Sequence, residues 1–294
     1  MTSIETGRGN LAAGIFSLLA TFIFVVIFSS GRFVSEPVSP LQVMFLRYIG
    51  GIITIVSLAL LRGENWRSLQ SSQRPKQVLR VLAGGLGGAA LIFGNTRMPI
   101  VDANAISLLS VVFAVGLGSI FLGDKLSLRQ LVGGIVCLVG ASTVMASRGA
   151  LVGFDASFIV PAGVVVMGAF LLGVEGIYIK MLTTADRPVI TIAHANVFGA
   201  LLLAVPAALT WQSMGWVNLL LLSLGPLAIL GQYLNIRAYS LAKVSVLAPL
   251  GYCSLIFAAL LGVVFFNETP TIGVVAGAAL IAAGGGIIVL SKTR

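Results

Sequence analysis

The stretch ANAISLLSVVFAVGLGSIFLG, from Ala103 to Gly123, contains no charged side chain. A helix needs about 20 predominantly apolar residues to cross the hydrocarbon core of a bilayer. Val244–Asn267 and Thr269–Ser291 are equally free of charge. Their apolar residues run continuously rather than alternating, so they read as helices, which pair their own backbone amides inside hydrocarbon. Working outward from these stretches gives ten spans, roughly 11–31, 39–61, 77–96, 100–123, 128–147, 157–179, 189–210, 216–236, 244–266 and 271–290. The chain is 58% hydrophobic and 9% charged, against roughly 25% charged residues in a soluble domain. The expectation is an all-α, multi-pass membrane protein with no separate soluble domain. The run beginning at Leu11 is too long for a signal-peptide core and lacks a cleavage site, so it is kept as the first span. Cys137 and Cys253 fall inside spans and suggest no disulfide.

A formal net charge of +9 could point to nucleic acid, but its placement points to topology. With the N-terminus inside, thirteen lysines and arginines lie in cytoplasmic connections, against Arg32, Arg97 and Arg148 outside. The positive-inside rule reads this as N-in and C-in. No nucleic-acid partner is expected.

The stretch that closes the opening run, FLGDKLS (121–127), returns as FFNETPT (265–271), 144 residues later. Asp124 matches Glu268, Ser127 matches Thr271 and Gly133 matches Gly277. SPLQVMFLRYIGG (from Ser39) resembles RPVITIAHANVFG (from Arg187), and Asn95-x-Arg97 matches Asn235-x-Arg237. Three matches in the same order imply a duplication, residues 1–150 and 151–294. Each half holds five spans, an odd number, so the second enters from the opposite side. The expected architecture is ten transmembrane helices as two inverted five-helix repeats. Asp124 and Glu268 then end matching spans at opposite faces. They serve as acids beside the helix starts at Ser127 and Thr271, or as a pair of gating elements, one per face.

The five-plus-five spans, SPLQVMFLRY at the second span, FLGDKLSLRQLVGGIVCLVGA after the fourth, and GQYLNIRAYSLAKVSVLAPLGYCSLIFAALLGVVFFNETPTIGVVAGAALI resemble the EamA-type drug/metabolite transporters. The branch resembled includes carriers of S-adenosylmethionine, riboflavin and amino acids. The resemblance covers nearly the whole chain and implies a bacterial inner membrane as the location. It implies a helical bundle whose central cavity is lined mainly by spans 1, 3, 4, 6, 8 and 9 and closes alternately at either face. One departure is the first span, LATFIFVVIFSSGR, which is apolar where some relatives place a polar or acidic residue.

Ionisable groups inside spans are functional suspects. Arg47 lies about two turns into span 2, where its guanidinium could hold a cargo carboxylate or phosphate or serve structure beside the cavity. Glu175, near the end of span 6, could couple transport to protons, or pair with Lys180. His194, the one histidine, reads as a structural group. Polar stripes at helical spacing suggest substrate contacts: Asn104, Ser107 and Ser110 in span 4, Gln232, Asn235 and Tyr239 in span 8, and Ser245, Pro249, Tyr252 and Ile256 in span 9. Packing between helices is the alternative for each stripe. Tyr233 and Tyr252 could stack on a planar cargo. GGLGG from Gly84 and GGG from Gly284 lie in apolar spans without a strand or a following lysine, so they read as close helix packing rather than a phosphate loop.

Substrate-binding candidates are thus Asn104, Ser107, Gln232, Tyr233, Asn235, Pro249 and Tyr252, and coupling or gating candidates are Glu175, Asp124, Glu268 and Arg47. Together they suggest a secondary active transporter for a small organic metabolite, such as an amino-acid derivative or a compound like S-adenosylmethionine or riboflavin. It would work by alternating access in a lipid bilayer, with protons as a candidate coupling ion. No cofactor or metal is expected, and an intramembrane enzyme would need clustered groups that these spans lack. The alternatives are an exporter of toxic metabolites or drugs, and a non-transporting membrane subunit. Monomer and homodimer stay open.

Overall fold

The computed structural model describes residues 3–34, 39–62, 70–98, 100–123, 127–147, 156–266 and 271–289; Asp124 and Glu268 lie outside these residues. The described residues are helical, with no strand among them. The helices are α1 (Ser3–Ser29), α2 (Pro40–Arg62), α3 (Arg74–Arg97), α4 (Ile100–Ser107), α5 (Leu109–Leu122), α6 (Leu128–Ser147), α7 (Ala156–Leu182) and α8 (Pro188–Leu209), then α9 (Val217–Leu222), α10 (Leu224–Leu241), α11 (Val244–Leu247), α12 (Ser254–Phe266) and α13 (Ile272–Val289). Among the described residues, seven helical segments are long and apolar enough to cross a membrane: Asn10–Arg32, Pro40–Leu61, Arg74–Arg97, Ile159–Leu182, Pro188–Leu209, Val217–Leu241 and Pro249–Phe266. Leu109–Leu122, Leu128–Gly140 and Val275–Gly284 are shorter apolar helices. Leu201, Val205 and Val264 are each 67% exposed. Outward apolar side chains of this kind suit contact with lipid rather than water.

Two runs that the sequence reads as single spans are interrupted. Ser107 Oγ donates to the Asn104 carbonyl at 2.7 Å, and α4 gives way to α5 at Leu108. Such short side chains compete with the backbone ladder. Between α11 and α12 the chain winds as a 3-10 helix, Ala248–Cys253, where Pro249 supplies no N–H. Helix starts and stops follow local rules. Gly123 takes a left-handed φ of +66° and returns its N–H to Gly118 at the end of α5. Ser127 and Gln130 form a reciprocal capping box: the Ser127 N–H donates to Gln130 Oε1 at 2.9 Å, and the Gln130 N–H to Ser127 Oγ at 3.2 Å.

The main helix pairings are α6 with α13, α3 with α7, α1 with α10 and α2 with α8. Small residues set their closeness, as lipid-facing helices gain little from apolar burial against each other. A Cβ on Gly140 would stand 2.7 Å from the Gly277 carbonyl, and one on Gly284 would stand 2.6 Å from the Gly133 carbonyl. Cys137 Sγ, between them, donates to the Ile281 carbonyl at 3.5 Å. In the GGLGG stretch, Gly87 would meet the Gly168 carbonyl of α7 at 3.0 Å. The glycines thus serve close helix packing.

Two polar clamps tie loops to helix starts. Gln42, fully buried, donates through Nε2 to the Gln212 carbonyl and to Asn218 Oδ1, both at 2.9 Å, and accepts the Gln212 N–H. Asp186 Oδ2 accepts from Ser71 Oγ at 2.5 Å and Gln77 Nε2 at 2.8 Å. The expected topology places the first clamp outside and the second in the cytoplasm.

Candidate functional site

A cavity of about 220 Å³ lies within the bundle, bordered by residues of α1, α2, α3, α4, α5, α7, α8, α10, the 3-10 segment and α12. Asn104, Ser107, Gln232, Asn235, Arg47 and Glu175 all line it. These six come from α2, α4, α7 and α10, so the structure gathers residues that lie up to 188 positions apart in sequence, Arg47 to Asn235. Ser110 and Tyr239 complete the two polar stripes on α5 and α10.

Asn104 is buried and tied into its surroundings. Its Nδ2 donates to the Ile100 carbonyl at 2.8 Å and to Asn95 Oδ1 at 3.3 Å, while Asn95 Nδ2 reaches the Phe28 carbonyl at 3.1 Å. This chain of amides fixes α1, α3 and α4 together behind the cavity wall. Asn95 was read in the sequence only as a marker of duplication; the structure makes it the support for Asn104. Gln232 is buried and its Oε1 has no hydrogen-bond partner.

α2 carries Arg47 onto the cavity wall together with Met44 and Tyr48. Its guanidinium carbon sits 4.2 Å from the centre of the Tyr48 ring, its Nε lacks a hydrogen-bond partner, and the residue is 4% exposed. The Tyr48 ring is seated against Gly199 of α8, where an added Cβ would stand 2.6 Å from it.

Glu175 meets a residue the sequence reading missed. Arg80 Nη2 lies 3.7 Å from Glu175 Oε1, and Arg80 Nη1 donates to the Thr191 carbonyl at 3.1 Å. The Arg80 side chain is 3% exposed and that of Glu175 is 24% exposed. Gly84, four residues along α3 from Arg80, leaves the space that the Glu175 carboxylate fills: a Cβ there would stand 2.5 Å from Oε1. Lys180 donates to the Tyr239 and Ala242 carbonyls at 2.7 and 2.8 Å. A signal for Arg80 was present. Of eighteen basic residues, Arg47 and Arg80 are the two placed beyond the second residue of a span.

Three candidates stand apart from the cavity. Tyr233, one residue beyond Gln232 and so about 100° further around α10, is 46% exposed on the outer face. Pro249 and Tyr252 are buried without bordering the cavity; Tyr252 packs in a core cluster with Val111, Cys137 and Leu255. The reason is the 3-10 winding over Ala248–Cys253. Three residues per turn replace 3.6, so a stripe stepping by four, three and four leaves its face, and Gly251 and Ser254 border the cavity instead. His194 lies elsewhere, with Nδ1 2.9 Å from the Ile190 carbonyl and its ring against Phe198.

The chain is 26% identical over 250 residues to a riboflavin transporter of Brucella anthropi, covering 81% of this chain and 84% of that protein. It is 25% identical to the pseudopaline exporter CntI of Pseudomonas aeruginosa, over 95% of each chain. It is 23% identical to an S-adenosylmethionine uptake transporter of Rickettsia bellii, over 86% of this chain and 84% of that one. A solved crystal structure superposes with a TM-score of 0.76 at 18% identity, covering 94% of this chain and 95% of the other, which shows a shared fold. The profile of the EamA-like transporter family matches twice, at residues 11–146 and 161–290. The relatives are named as transporters rather than enzymes, and the protein, a multi-pass membrane protein, belongs to the EamA-like transporter family.

Proposed function

We propose that the protein is a secondary active transporter that moves a small organic metabolite across the membrane by alternating access. The observation that carries this reading is the polar cavity inside an apolar bundle, where Arg47, Arg80 and Glu175 are held away from lipid. Ionisable groups at such depth are costly unless they serve a pathway or a partner. The relatives named above have riboflavin, S-adenosylmethionine and pseudopaline in their names, all small organic molecules, which favours that class of cargo.

The working architecture is ten transmembrane helices in two inverted five-helix repeats, residues 1–150 and 151–294. Two matches of one family profile favour it. So does the glycine pairing between α6 and α13: Gly133 meets Gly284 while Gly140 meets Gly277, and Cys137 meets Ile281. Adding the repeat offset of 144 to 133, 137 and 140 yields 277, 281 and 284. A two-fold axis in the membrane plane generates this reciprocity, as it does at any self-complementary interface. The interruptions at Leu108 and at Ala248–Cys253 then fall on matching spans, 4 and 9, and broken helices of this kind border the sites of repeat-built transporters.

Asn104, Ser107, Gln232 and Asn235 form the binding wall. Glu175, paired with Arg80, is the coupling group: on protonation it releases Arg80 and lets the α3–α7 contact rearrange. Transport direction follows from the gradients of cargo and protons. The test is a thermal-shift screen of the purified protein in detergent against amino acids, S-adenosylmethionine, riboflavin, nucleosides, sugars and organic acids. A ligand at 100 times its Kd adds about 2.7 kcal/mol to the folded state. The reading expects a hit that Gln232→Leu and Asn104→Ala weaken. A hit untouched by both variants would remove the cavity as its site.

A further inference from the structure

We infer that the cargo is a small, single-ring organic carboxylate whose carboxylate is held by Arg47. The inference rests on the transporter reading above and names the chemistry of the cargo.

Charge decides the sign. Among the described residues lining the cavity, the charged side chains are Arg47, Arg80 and Glu175. Glu175 is engaged with Arg80, and Arg80 also holds the Thr191 carbonyl. Arg47 has no carboxylate within 4.0 Å among the described residues. It is 4% exposed, one face of its guanidinium rests on Tyr48, and its Nε has no partner. A buried cation in this position is costly until an anion reaches it. Arginine presents a planar fork that a carboxylate satisfies with two parallel hydrogen bonds. One uncompensated positive charge calls for a monoanion, so a phosphate ester with two negative charges is the poorer match. A cationic cargo would find its carboxylate already taken.

Size and shape narrow the class. An engineered cavity of roughly 150 Å³ holds benzene, so about 220 Å³ accommodates one ring and a carboxylate. Phe24 and Phe28, stacked with centroids 5.7 Å apart and planes 18° from parallel, supply an apolar wall. Gln232 Oε1 is a buried acceptor on the same cavity with no donor. A hydroxyl on the ring would satisfy it, and an unmet buried acceptor otherwise disfavours binding.

The test uses the full-length wild-type protein in detergent at constant chloride, with three probes that share a 4-hydroxyphenyl ring: 4-hydroxybenzoate, its near-isosteric neutral amide 4-hydroxybenzamide, and the cation tyramine. Calorimetric titration and melting temperature are read for each. The expected result is that 4-hydroxybenzoate binds and raises Tm, while the amide and the amine bind at least about tenfold more weakly, as losing a charge-assisted pair implies. Arg47→Gln, checked for an unchanged size-exclusion profile, should weaken 4-hydroxybenzoate roughly ten- to a hundredfold. Arg47→Lys should recover part of that loss. Equal or tighter binding of the amide or the amine overturns the inference, and that comparison needs no variant to fold. If all three fail while riboflavin, a nucleoside or a sugar binds and is transported, the carboxylate assignment falls and the transporter reading stands. If no compound is bound or transported by folded protein, the transporter reading itself falls.

Discussion

Arg80 and Glu175 face each other across α3 and α7, with Nη2 and Oε1 3.7 Å apart. The distance is long for a charge-assisted hydrogen bond, which prefers about 2.7–2.9 Å. Glu175 keeps 24% of its side chain exposed, while Arg80 is 3% exposed and anchored to the Thr191 carbonyl. The arginine is therefore the fixed partner and the glutamate the one that can be drawn away. Glu175→Gln should preserve exchange of cargo across a liposome membrane while abolishing accumulation driven by an imposed pH gradient. Gradient-driven accumulation at the wild-type level would rule Glu175 out as the coupling group. Arg80→Ala, which strands the carboxylate, should cost about 3–5 kcal/mol of stability, read by thermal unfolding in detergent.

The glycines of α6 and α13 should separate sharply by position. Gly140→Ala and Gly284→Ala force a Cβ within 2.7 Å of a carbonyl oxygen on the opposing helix. Overpacking of this kind costs about 1–3 kcal/mol. Gly134 has no atom within 4 Å of such a Cβ, so Gly134→Ala should be neutral or stabilise by up to about 1 kcal/mol through helix propensity. Denaturant titration of the three variants checks the order.

Binding should distinguish two residues that look alike in sequence. Gln232→Leu removes a cavity-lining amide and should weaken the ligand at least several-fold, because the cargo loses its hydrogen-bond acceptor. Tyr252→Phe alters a residue packed with Val111 and Leu255 away from the cavity and should leave affinity within about twofold. The reverse order in a titration would return Tyr252 to the site.

The two clamps should bias opposite faces. Gln42→Leu unties the segment from Gln212 to Asn218, and Asp186→Ala unties Ser71 and Gln77. Each loses hydrogen bonds worth about 1–3 kcal/mol when a buried partner is stranded. With Cys137 and Cys253 replaced by alanine, a reporter introduced by Ser110→Cys on the cavity wall reads access. Gln42→Leu should raise its labelling from the external side and Asp186→Ala from the cytoplasmic side. Equal effects on both sides would count against opposed gates.

Helical periodicity made much of this legible. Asn104, Ser107, Gln232 and Asn235 share a cavity because residues three or four apart share a helix face, and that rule holds in α4 and α10. The rule fails where the helix does. Pro249 and Tyr252 miss the cavity because 3-10 winding begins at Ala248, and only the proline hinted at it. Tyr233 illustrates a finer limit, since one residue of offset turns a side chain from cavity to outer surface. Ser127 followed three residues later by Gln130 is a local signal and closes the capping box in the fold. The pairing of Arg80 with Glu175, 95 positions away, and of Gln42 with the loop at Gln212, 170 positions away, is not local and had no pattern to announce it.

Counterflow reads whether the cavity around Arg47 and Gln232 carries cargo across the membrane. Purified protein in liposomes preloaded with unlabelled ligand from the thermal-shift screen is diluted into a trace of the radiolabelled compound. A transient accumulation of label above that of protein-free liposomes is expected, abolished by excess external ligand and reduced at least several-fold in Gln232→Leu. Flat traces from folded, ligand-binding protein would contradict it and leave a binding protein that does not transport.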